Sequence, residues 1–419
     1  MNEVNPMYQI LSGHSLAGRF GVRDSVRLIA RFHYIEAQLM RTAAGMLAEL
    51  PEWEVKCMLG RHLWEDSLHG DALLRRMVEL RWPRTAPLHP GERTVRLMAR
   101  LDDAPDAAAF LSAVYLVVKP RLAAAYAAYL EGGPSIADDP SHVVLEALLR
   151  DERRQIGEGE QLLATLPVPE QPERLRQWEL QIGEMCAAVG DICRPDDAVE
   201  RELPGSFEGQ RTKPTPAIAA RDARFRMTDA MFETPSAGPP GAAFMAHRDA
   251  DNEMHAAEVL GRNIYEHPEM PWDYHLDMAR QCWDEVRHAL LYERYLEELG
   301  GRLGEYPVVA GNYAYRMQLD LPHRLYDLHL RGEKLGMPDL IRFRQEASER
   351  GDRSYELLND FVHADEVPHV RNGRWLMRLL CEDRDAYERV ERETMQQRAA
   401  YEAEHGDDPL LARYNGVAL

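Results

Sequence analysis

The chain has 419 residues, of which 45% are apolar and 29% are charged, and its formal net charge is −20. This length and composition predict a folded globular protein with room for two domains, and they exclude extensive disorder. The acidic excess argues against a nucleic-acid backbone as the main partner, because binding to phosphates needs a basic surface.

The spacing of the cysteines and the composition of the first residues indicate the cellular compartment of the protein. Five cysteines are scattered along the chain without a CxxC pair, which argues against a disulfide framework and against a zinc ribbon. The opening stretch MNEVNPMYQI lacks the basic and apolar regions of a signal peptide, and no run approaches eighteen apolar residues. We therefore expect a cytoplasmic protein that has neither a membrane nor a nucleic acid as a partner.

Helical periodicity, with apolar residues three and four positions apart, dominates the first part of the chain. Strand signals are scarce. The predicted helices cover residues 22–49, 54–80, 107–130 and 142–165. Prolines then become frequent from 166 to 241, and we interpret this part as a connecting segment with one short helix over 172–190.

The same periodicity returns after the proline-rich segment and continues almost to the end of the chain. The predicted helices here cover residues 242–266, 271–299, 307–334, 338–349, 353–381 and 382–404. The prediction is an all-α protein. Its predicted domains are a first helical bundle over 1–165, the connecting segment over 166–241, a second bundle over 242–381, and a C-terminal helix and tail over 382–419.

The two halves carry the same landmarks in the same order. WEDSLH at 64–69 corresponds to WDEVRH at 283–288, and DERRQIGEG at 151–159 corresponds to DEVPHVRNG at 365–373. Glu36 matches Glu253, and the number of residues between the two members of each matching pair is nearly constant. Internal similarity of this kind indicates a tandem duplication, here of a unit of four helices.

Two pairs of side chains in the second half have the spacing of metal ligands on a helix. Glu285 and His288 are three residues apart, so both can reach one point, and Glu366 and His369 repeat the pattern where a fourth helix is predicted. A helical bundle that binds two metal ions takes one further carboxylate from each of the two remaining helices.

Two carboxylates compete for this role on the first of these helices. Glu253 lies on an otherwise apolar stripe, which is costly for a carboxylate unless it is paired or metal-bound. Glu253 and Glu285 are also nearly the same number of residues from the turn between the two helices, so they lie at the same height in the bundle. Glu258 lies on a more polar face, so Glu253 is the predicted ligand, and Glu258 remains as a residue that replaces or joins it.

On the third helix Glu333 is placed level with the fourth-helix pair. Asp327 and His329 are competitors on the same segment. Gly336 and Pro338 follow, and they predict that the helix is interrupted just beyond the ligand.

The predicted ligand set has four carboxylates and two imidazoles. Its charge of −4 neutralises two divalent cations, and oxygen-rich ligation with one imidazole per metal suits iron or manganese better than zinc. The predicted cofactor is a pair of iron ions, or an iron–manganese pair, with O2 as co-substrate. The predicted ligands are Glu253, Glu285, His288, Glu333, Glu366 and His369.

The second half resembles the ferritin-like, rubrerythrin-like superfamily of diiron-carboxylate proteins, and within it a bacterial ferritin-like family of unassigned function. The resemblance covers residues 242–380 well and the first half only dimly. It implies a tandem pair of ferritin-like four-helix bundles joined by the proline-rich segment, with the six residues above as metal ligands. Pro368 departs from a regular fourth helix and predicts a kink or a π-bulge there. The stretches that carry the resemblance are NEMHAAE (252–258), DEVRHALLYERYLEELG (284–300), GEKLG (332–336), RGD (350–352) and DEVPHVRNGRW (365–375).

The first half keeps only part of this pattern. Lys119 stands where the second half has its third-helix glutamate, and Gln155 stands where it has its second histidine. We interpret the first half as a degraded site in a pseudo-symmetric scaffold, with an internal ion pair replacing the metal. Half of a site is still available from four residues, Glu36, Asp66, His69 and Glu152.

The predicted function is that of an O2-dependent, non-haem diiron oxidase or oxygenase acting on a small organic substrate. The sequence names no catalytic residue beyond the metal ligands and no residue for another cofactor. An electron donor and a homodimer are both compatible with this prediction. The alternatives are a ferroxidase or iron-handling protein without an organic substrate, and a structural protein that a metal only staples together.

Overall fold

The computed structural model describes residues 18–83, 90–166, 171–190, 192, 213–228 and 241–405. Within these residues the chain is almost entirely helical, and its two strands, β1 (Arg226–Met227) and β2 (Pro307–Val308), are two residues long and pair in parallel. The predicted all-α class is confirmed. About half of the predicted proline-rich segment (residues 167–170, 191, 193–212 and 229–240), and the tail beyond residue 405, lie outside the described residues.

The chain divides into two compact units. Unit 1 comprises Met1–Thr42 and Glu65–Arg211, and unit 2 comprises Ala43–Trp64 and Thr212–Leu419. The division falls within the first two helices, α1 and α2, each of which contributes residues to both units. The predicted domain boundaries stay a prediction.

Unit 1 contains parts of α1 and α2 and four further helices. The third of its long helices, α4, changes to π-helical geometry over Ala113–Val118, directly before Lys119. Helix α3 has no counterpart among the predicted helices. The helices are α1 (Val22–Met46), α2 (Trp53–Glu79), α3 (Glu92–Asp102), α4 (Ala107–Gly132), α5 (Asp139–Thr165) and α6 (Pro172–Ala188).

Helix α4 is long and apolar enough to cross a membrane when it is judged by length and composition alone, although the sequence predicted no such segment. In the stretch that meets these criteria, 67% of the residues are buried inside the protein. The core helix of a folded domain satisfies the same criteria, so this helix is weak evidence for a membrane span.

Unit 2 is built around four long helices. Helix α7 packs against α8, α8 packs against α11, and α11 packs against α10. The helices are α7 (Ala242–Glu266), α8 (Trp272–Glu298), α9 (Gly311–Arg316), α10 (residues 321–350), α11 (Arg353–Leu380) and α12 (Arg384–His405).

The single helix predicted over 307–334 is wrong. The chain instead forms β2 and the short helix α9, and then starts again at α10. Asp320 is the reason, since its side chain caps the new helix by accepting a hydrogen bond of 3.2 Å from the backbone N–H of His323. Pro322 in the first turn needs no backbone donor there and favours the same start.

The interruption predicted just beyond Glu333 is also wrong. The irregular part of helix α10 ends at this residue, as a π-helical stretch over Tyr326–Glu333, and the helix then continues through Pro338 to Arg350. A π-helical turn widens the helix by one residue and changes the direction of the side chains on it, which is why such turns are frequent at functional sites.

A tight turn sets the start of α11. Gly351 ends α10 with a left-handed φ of 71°, and Asp352 then caps α11 by accepting a hydrogen bond from the backbone N–H of Tyr355 at 3.1 Å. Helix α11 is α-helical throughout, so of the two alternatives predicted at Pro368 the π-bulge is wrong and the kink stays a prediction. Proline removes one backbone hydrogen bond, and the turns on either side preserve the helix.

Candidate metal centre

All six predicted ligands of unit 2 come together where α7, α8, α10 and α11 meet. Glu366 completes the cluster, with one oxygen 3.9 Å from Nδ1 of His288 and the other 3.5 Å from Nδ1 of His369. The remaining five form two overlapping groups whose ligand atoms lie within 4.8 Å of one another, namely Glu253, Glu285 and His288, and Glu285, Glu333 and His369.

Two carboxylates each contact both histidines. Oε2 of Glu285 lies 3.2 Å from Nδ1 of His288, and its Oε1 lies 3.4 Å from Nδ1 of His369. Glu366 repeats this arrangement from the opposite helix. A carboxylate with one oxygen directed at each of two imidazoles has the arrangement of a bridging ligand. Glu253 approaches His288 at 3.9 Å and would serve one end of the cluster.

The electrostatics of the cluster would favour a bound cation. Burial, with the nearby carboxylate of Glu285, raises the pKa of Glu253 well above its ordinary value, and burial with Glu366 does the same for Glu333. Burial alone would lower the pKa of His288, but its hydrogen bonds with acidic neighbours raise that pKa to about 10. Protons therefore occupy a metal-free cluster, and cation binding would release them.

Three buried atoms of the cluster have no hydrogen-bond partner among the described residues. They are Oε2 of Glu333, Oε2 of Glu366 and Nδ1 of His369. Buried polar atoms without a partner are rare in folded proteins, because each one costs free energy. A cation bound here would satisfy all three, so the residues fit a centre of two divalent metals.

Two aspartates that the sequence analysis missed orient the histidines. Nε2 of His288 lies 3.3 Å from Oδ2 of Asp365, and Nε2 of His369 lies 3.3 Å from Oδ2 of Asp284. Each aspartate directly precedes a bridging glutamate and serves the histidine on the other helix. An Nε2–H that donates to a carboxylate leaves Nδ1 free to bind a metal. The signal in the sequence is the pattern DExxH, which occurs in both helices.

Two arginines keep these aspartates ionised. Nε of Arg280 donates to Asp284 at 2.8 Å, and Arg287 bonds both aspartates, reaching Asp365 at 2.7 Å. Burial would raise the pKa of Asp284, but hydrogen bonds from His369 and the two arginines hold it well below its usual range. The aspartates therefore stay acceptors at any pH at which the centre would bind metal.

Replacing Asp365 with alanine should weaken divalent-metal binding by roughly 10- to 100-fold, because His288 loses the acceptor that orients it. Titration with Mn²⁺ in competition with a chelating dye measures this change. The control is Asp360→Ala, on the exposed face of the same helix. Unchanged affinity in the Asp365 variant would contradict the orienting role.

The competitors on the third helix take other roles. His329 contacts the amide of Gln281 at 2.8 Å, and that amide donates to Glu333 at 2.7 Å. Burial lowers the pKa of His329 to about 4, so it stays neutral. Asp327 accepts hydrogen bonds from Arg316 and Arg331 and forms a buried ion pair with them. Gln281, which the sequence analysis did not single out, therefore positions Glu333.

Glu258 is not part of the ligand cluster. Its carboxylate accepts two hydrogen bonds from Arg221, at 2.6 and 3.0 Å, and a further one from Lys56. Asp251 pairs with the same arginine at 2.7 Å. This buried ion-pair cluster satisfies Glu258 without a metal, whereas Glu253 faces the histidines.

A cavity of about 160 Å³ adjoins the metal-ligand cluster. Cavities of about 150 Å³ bind molecules of the size of benzene, so this one has room for a small organic molecule. Glu253 and Glu333, which are partly exposed, line it together with the bridging carboxylates. The rest of the lining includes Arg248, Arg316, Arg331, Asp249, Asp339, Tyr292, Leu328, Leu340, Phe343 and Val362.

Unit 1 contains the corresponding cluster, and the predicted internal ion pair is present in it. Nζ of Lys119 lies 2.9 Å from Asp66 and 3.0 Å from Glu152. Gln155 donates instead to Glu65 at 2.9 Å. The four carboxylate and histidine side chains that remain have ligand atoms within 4.8 Å of one another, and they are Glu36, Asp66, His69 and Glu152.

The fold and this site define a class of protein, namely an all-α protein in which four glutamates and two histidines, most of them buried, converge at one site. The chain belongs to the family described as "Protein of unknown function (DUF455)", which it matches over residues 191–406. This range includes all six predicted ligands and none of the unit 1 cluster. No curated protein and no solved structure matches the chain.

Proposed function

We propose that the chain is a tandem pair of ferritin-like four-helix bundles, and that unit 2 uses two iron ions, or iron and manganese, to oxidise a small organic substrate with O2. The observation that carries the proposal is the bridging arrangement of Glu285 and Glu366 between two histidines. Four carboxylates neutralise two divalent cations, and an oxygen-rich set with one imidazole per metal suits iron or manganese. When bound, such a metal pair supplies the electrons that activate O2.

The side chains of the centre then have distinct roles. Glu253 and His288 would hold one metal, and Glu333 and His369 the other, while the two bridging glutamates hold both. The orienting aspartates keep a proton on Nε2 of each histidine, so that Nδ1 remains a ligand. Gln281 holds the carboxylate of Glu333 at the edge of the cavity.

The cavity favours an organic substrate over the ferroxidase alternative. Its wall is partly apolar and includes Leu328, Leu340, Phe343 and Val362. An apolar wall beside the metals excludes water and holds a carbon skeleton. If one oxygen atom enters the substrate and the other leaves as water, two further electrons must come from an electron donor.

Arg316 is the residue best placed to select the substrate. It is only 7% exposed, and it lines the cavity while its Nε donates to Asp327 at 2.9 Å. Its terminal nitrogens have no hydrogen-bond partner among the described residues. Gly332 provides the space for them, because a Cβ at this position would lie 3.2 Å from Nη2 of Arg316.

The charge of the cavity also favours an acidic substrate. Two divalent metals would neutralise the four ligand carboxylates. Among the other charged lining residues, Arg248 is paired with Asp249 and Asp339 with Arg342, whereas Arg316 and Arg331 share the single carboxylate of Asp327. The loaded cavity therefore carries about one net positive charge. A guanidinium binds a carboxylate through two parallel hydrogen bonds, so we propose a small organic acid as the substrate class.

Arg316→Met should raise the KM for a carboxylic-acid substrate by roughly 10- to 100-fold, since a hydrogen bond to a charged group contributes about 1.5–3 kcal/mol. Oxygen uptake by the iron-loaded protein, measured with a panel of small monocarboxylates and their amides, tests this. Arg302→Met, at an exposed position, is the control. Equal preference for acids and amides in the wild type would contradict the proposed substrate class.

The proposed function is tested by anaerobic loading with Fe²⁺, elemental analysis and exposure to O2. We expect two iron ions in unit 2, a new near-ultraviolet absorption band after oxygen is admitted, and O2 uptake that increases with an organic acid. Iron oxidation that no substrate affects would favour the ferroxidase. Bound metal without any reaction would favour the structural alternative.

A further inference from the structure

The cluster of unit 1 keeps one complete half of the ligand arrangement of unit 2. Nδ1 of His69 faces two carboxylates, at 3.2 Å from Glu36 and 3.6 Å from Glu152. Its Nε2 lies 3.6 Å from Asp151, the residue directly before Glu152. His288 has the same surroundings in unit 2, with Nδ1 directed at glutamates and Nε2 at an aspartate.

Lys119 occupies the part of the unit 1 cluster that corresponds to the second half of the unit 2 ligand arrangement. It directly follows the π-helical turn of α4, as Glu333 ends the π-helical turn of α10. Its Nζ bonds Asp66 and Glu152, which correspond to the two bridging glutamates. The ammonium group therefore takes the position of the metal that Glu333 would serve in unit 2. The Lys119 ammonium does not occupy the position beside His69, where another cation could bind.

Two buried oxygens of the carboxylates around His69 lack a partner. Glu36 and Glu152 are fully buried, and Oε2 of each has no hydrogen-bond partner among the described residues. Their Oε1 atoms are satisfied, since Tyr126 donates to Glu36 at 2.5 Å and Lys119 donates to Glu152. The unpartnered oxygens indicate a further ligand, because buried carboxylates otherwise accept hydrogen bonds or bind a cation.

The net charge of the unit 1 cluster would be neutralised by one divalent cation. Glu36, Asp66 and Glu152 contribute three negative charges, and Lys119 offsets one of them. The charge that remains is −2. With His69 neutral and its Nε2–H directed at Asp151, Nδ1 is available as the single nitrogen ligand.

We infer that unit 1 binds one divalent metal ion through Glu36, Asp66, His69 and Glu152, with the Lys119 ammonium in place of a second metal. Three carboxylates and one imidazole suit Mn²⁺ or Fe²⁺. The inference does not depend on the function proposed for unit 2. Because a fixed ammonium stands where a second metal would be, this ion staples the helices of unit 1 and takes no part in two-metal chemistry.

The test uses the full chain, stripped by a chelator, reloaded with Mn²⁺ and freed of excess metal. Elemental analysis should find three ions per chain in the wild type and one in Glu285→Ala. The single ion of that variant should give the six-line electron paramagnetic resonance spectrum of an isolated Mn²⁺. Adding His69→Ala to the Glu285→Ala chain should remove this last ion, whereas adding Glu79→Ala, at the exposed end of the same helix, should not.

Two results would overturn the inference. One is a Glu285→Ala chain that is folded by circular dichroism and retains no Mn²⁺. The other is a double variant that still binds one ion, since that ion would then lie elsewhere. If instead the wild type and Glu285→Ala each bind one ion, the unit 1 site stands and the two-metal proposal for unit 2 fails.

Discussion

Replacing Glu285 with alanine is expected to remove both metal ions from unit 2 and leave the chain folded. The reason is the position of its two oxygens, 3.2 Å from the imidazole of His288 and 3.4 Å from that of His369. Loss of a carboxylate that serves both metals removes a ligand from each. Glu253→Ala, in contrast, should weaken binding at one end of the cluster and leave a metal at the other.

The same substitution should not destabilise the metal-free protein. Four crowded carboxylates repel one another, and the neighbouring charge of Glu285 contributes to the raised pKa of Glu253. Removing one carboxylate relieves that repulsion, which offsets the loss of its contacts with the histidines. The measurements are metal content after ferrous loading and thermal unfolding without metal, with Glu298→Ala at the exposed end of α8 as the control. Two ions still bound to unit 2 in the Glu285 variant would refute the bridging assignment.

Replacing Lys119 with methionine should lower the free energy of unfolding of the metal-free chain by about 3–5 kcal/mol, the usual cost of removing one partner of a buried ion pair. The ammonium bonds both Asp66 and Glu152. Methionine fills a similar volume without the charge, so two buried carboxylates lose their shared cation and one of them must take up a proton.

Denaturant unfolding followed by circular dichroism measures this loss. The matched control is Lys334→Met, which is exposed and also directly follows a π-helical turn on the third long helix of its unit. The control should change the stability by less than about 0.5 kcal/mol, as surface substitutions usually do. A Lys119 variant as stable as this control would show that the ion pair contributes nothing to unit 1.

The convergence of the predicted ligands of unit 2 could be anticipated from helical geometry, while metal binding by them stays a prediction. A spacing of three residues puts Glu285 and His288 on one face of α8, and the symmetry of a helical hairpin about its turn sets which residues are level. The same reasoning favoured Glu253 over Glu258. The orienting role of Asp284 and Asp365 escaped prediction, since each contacts a histidine of another helix and such contacts depend on how the two helices are placed.

The predicted fold was wrong at positions where local interactions outweigh the helical spacing of apolar residues. The pattern over 307–334 is helical, yet the capping side chain of Asp320 starts a new helix within it. Glycine and proline after Glu333 predicted a break, but the irregular geometry lies earlier, in the π-helical turn that precedes or includes the third-helix residue of each cluster. A π-helical turn has no simple sequence signal, because it is stabilised by the packing around it.

The helical class, the two Glu-x-x-His pairs, and the lysine and glutamine that stand in place of two of the ligands in the first half could all be read from the sequence. Each of these follows from residue identity and from the 3.6-residue period of a helix. Three further features depend on how the helices pack. Glu258 joins Lys56 and Arg221, Arg316 lines the cavity beside the cluster, and two carboxylate oxygens in unit 1 lack a partner among the described residues. These contacts join residues far apart in the chain, and packing, which sets their distances, is a property of the whole fold.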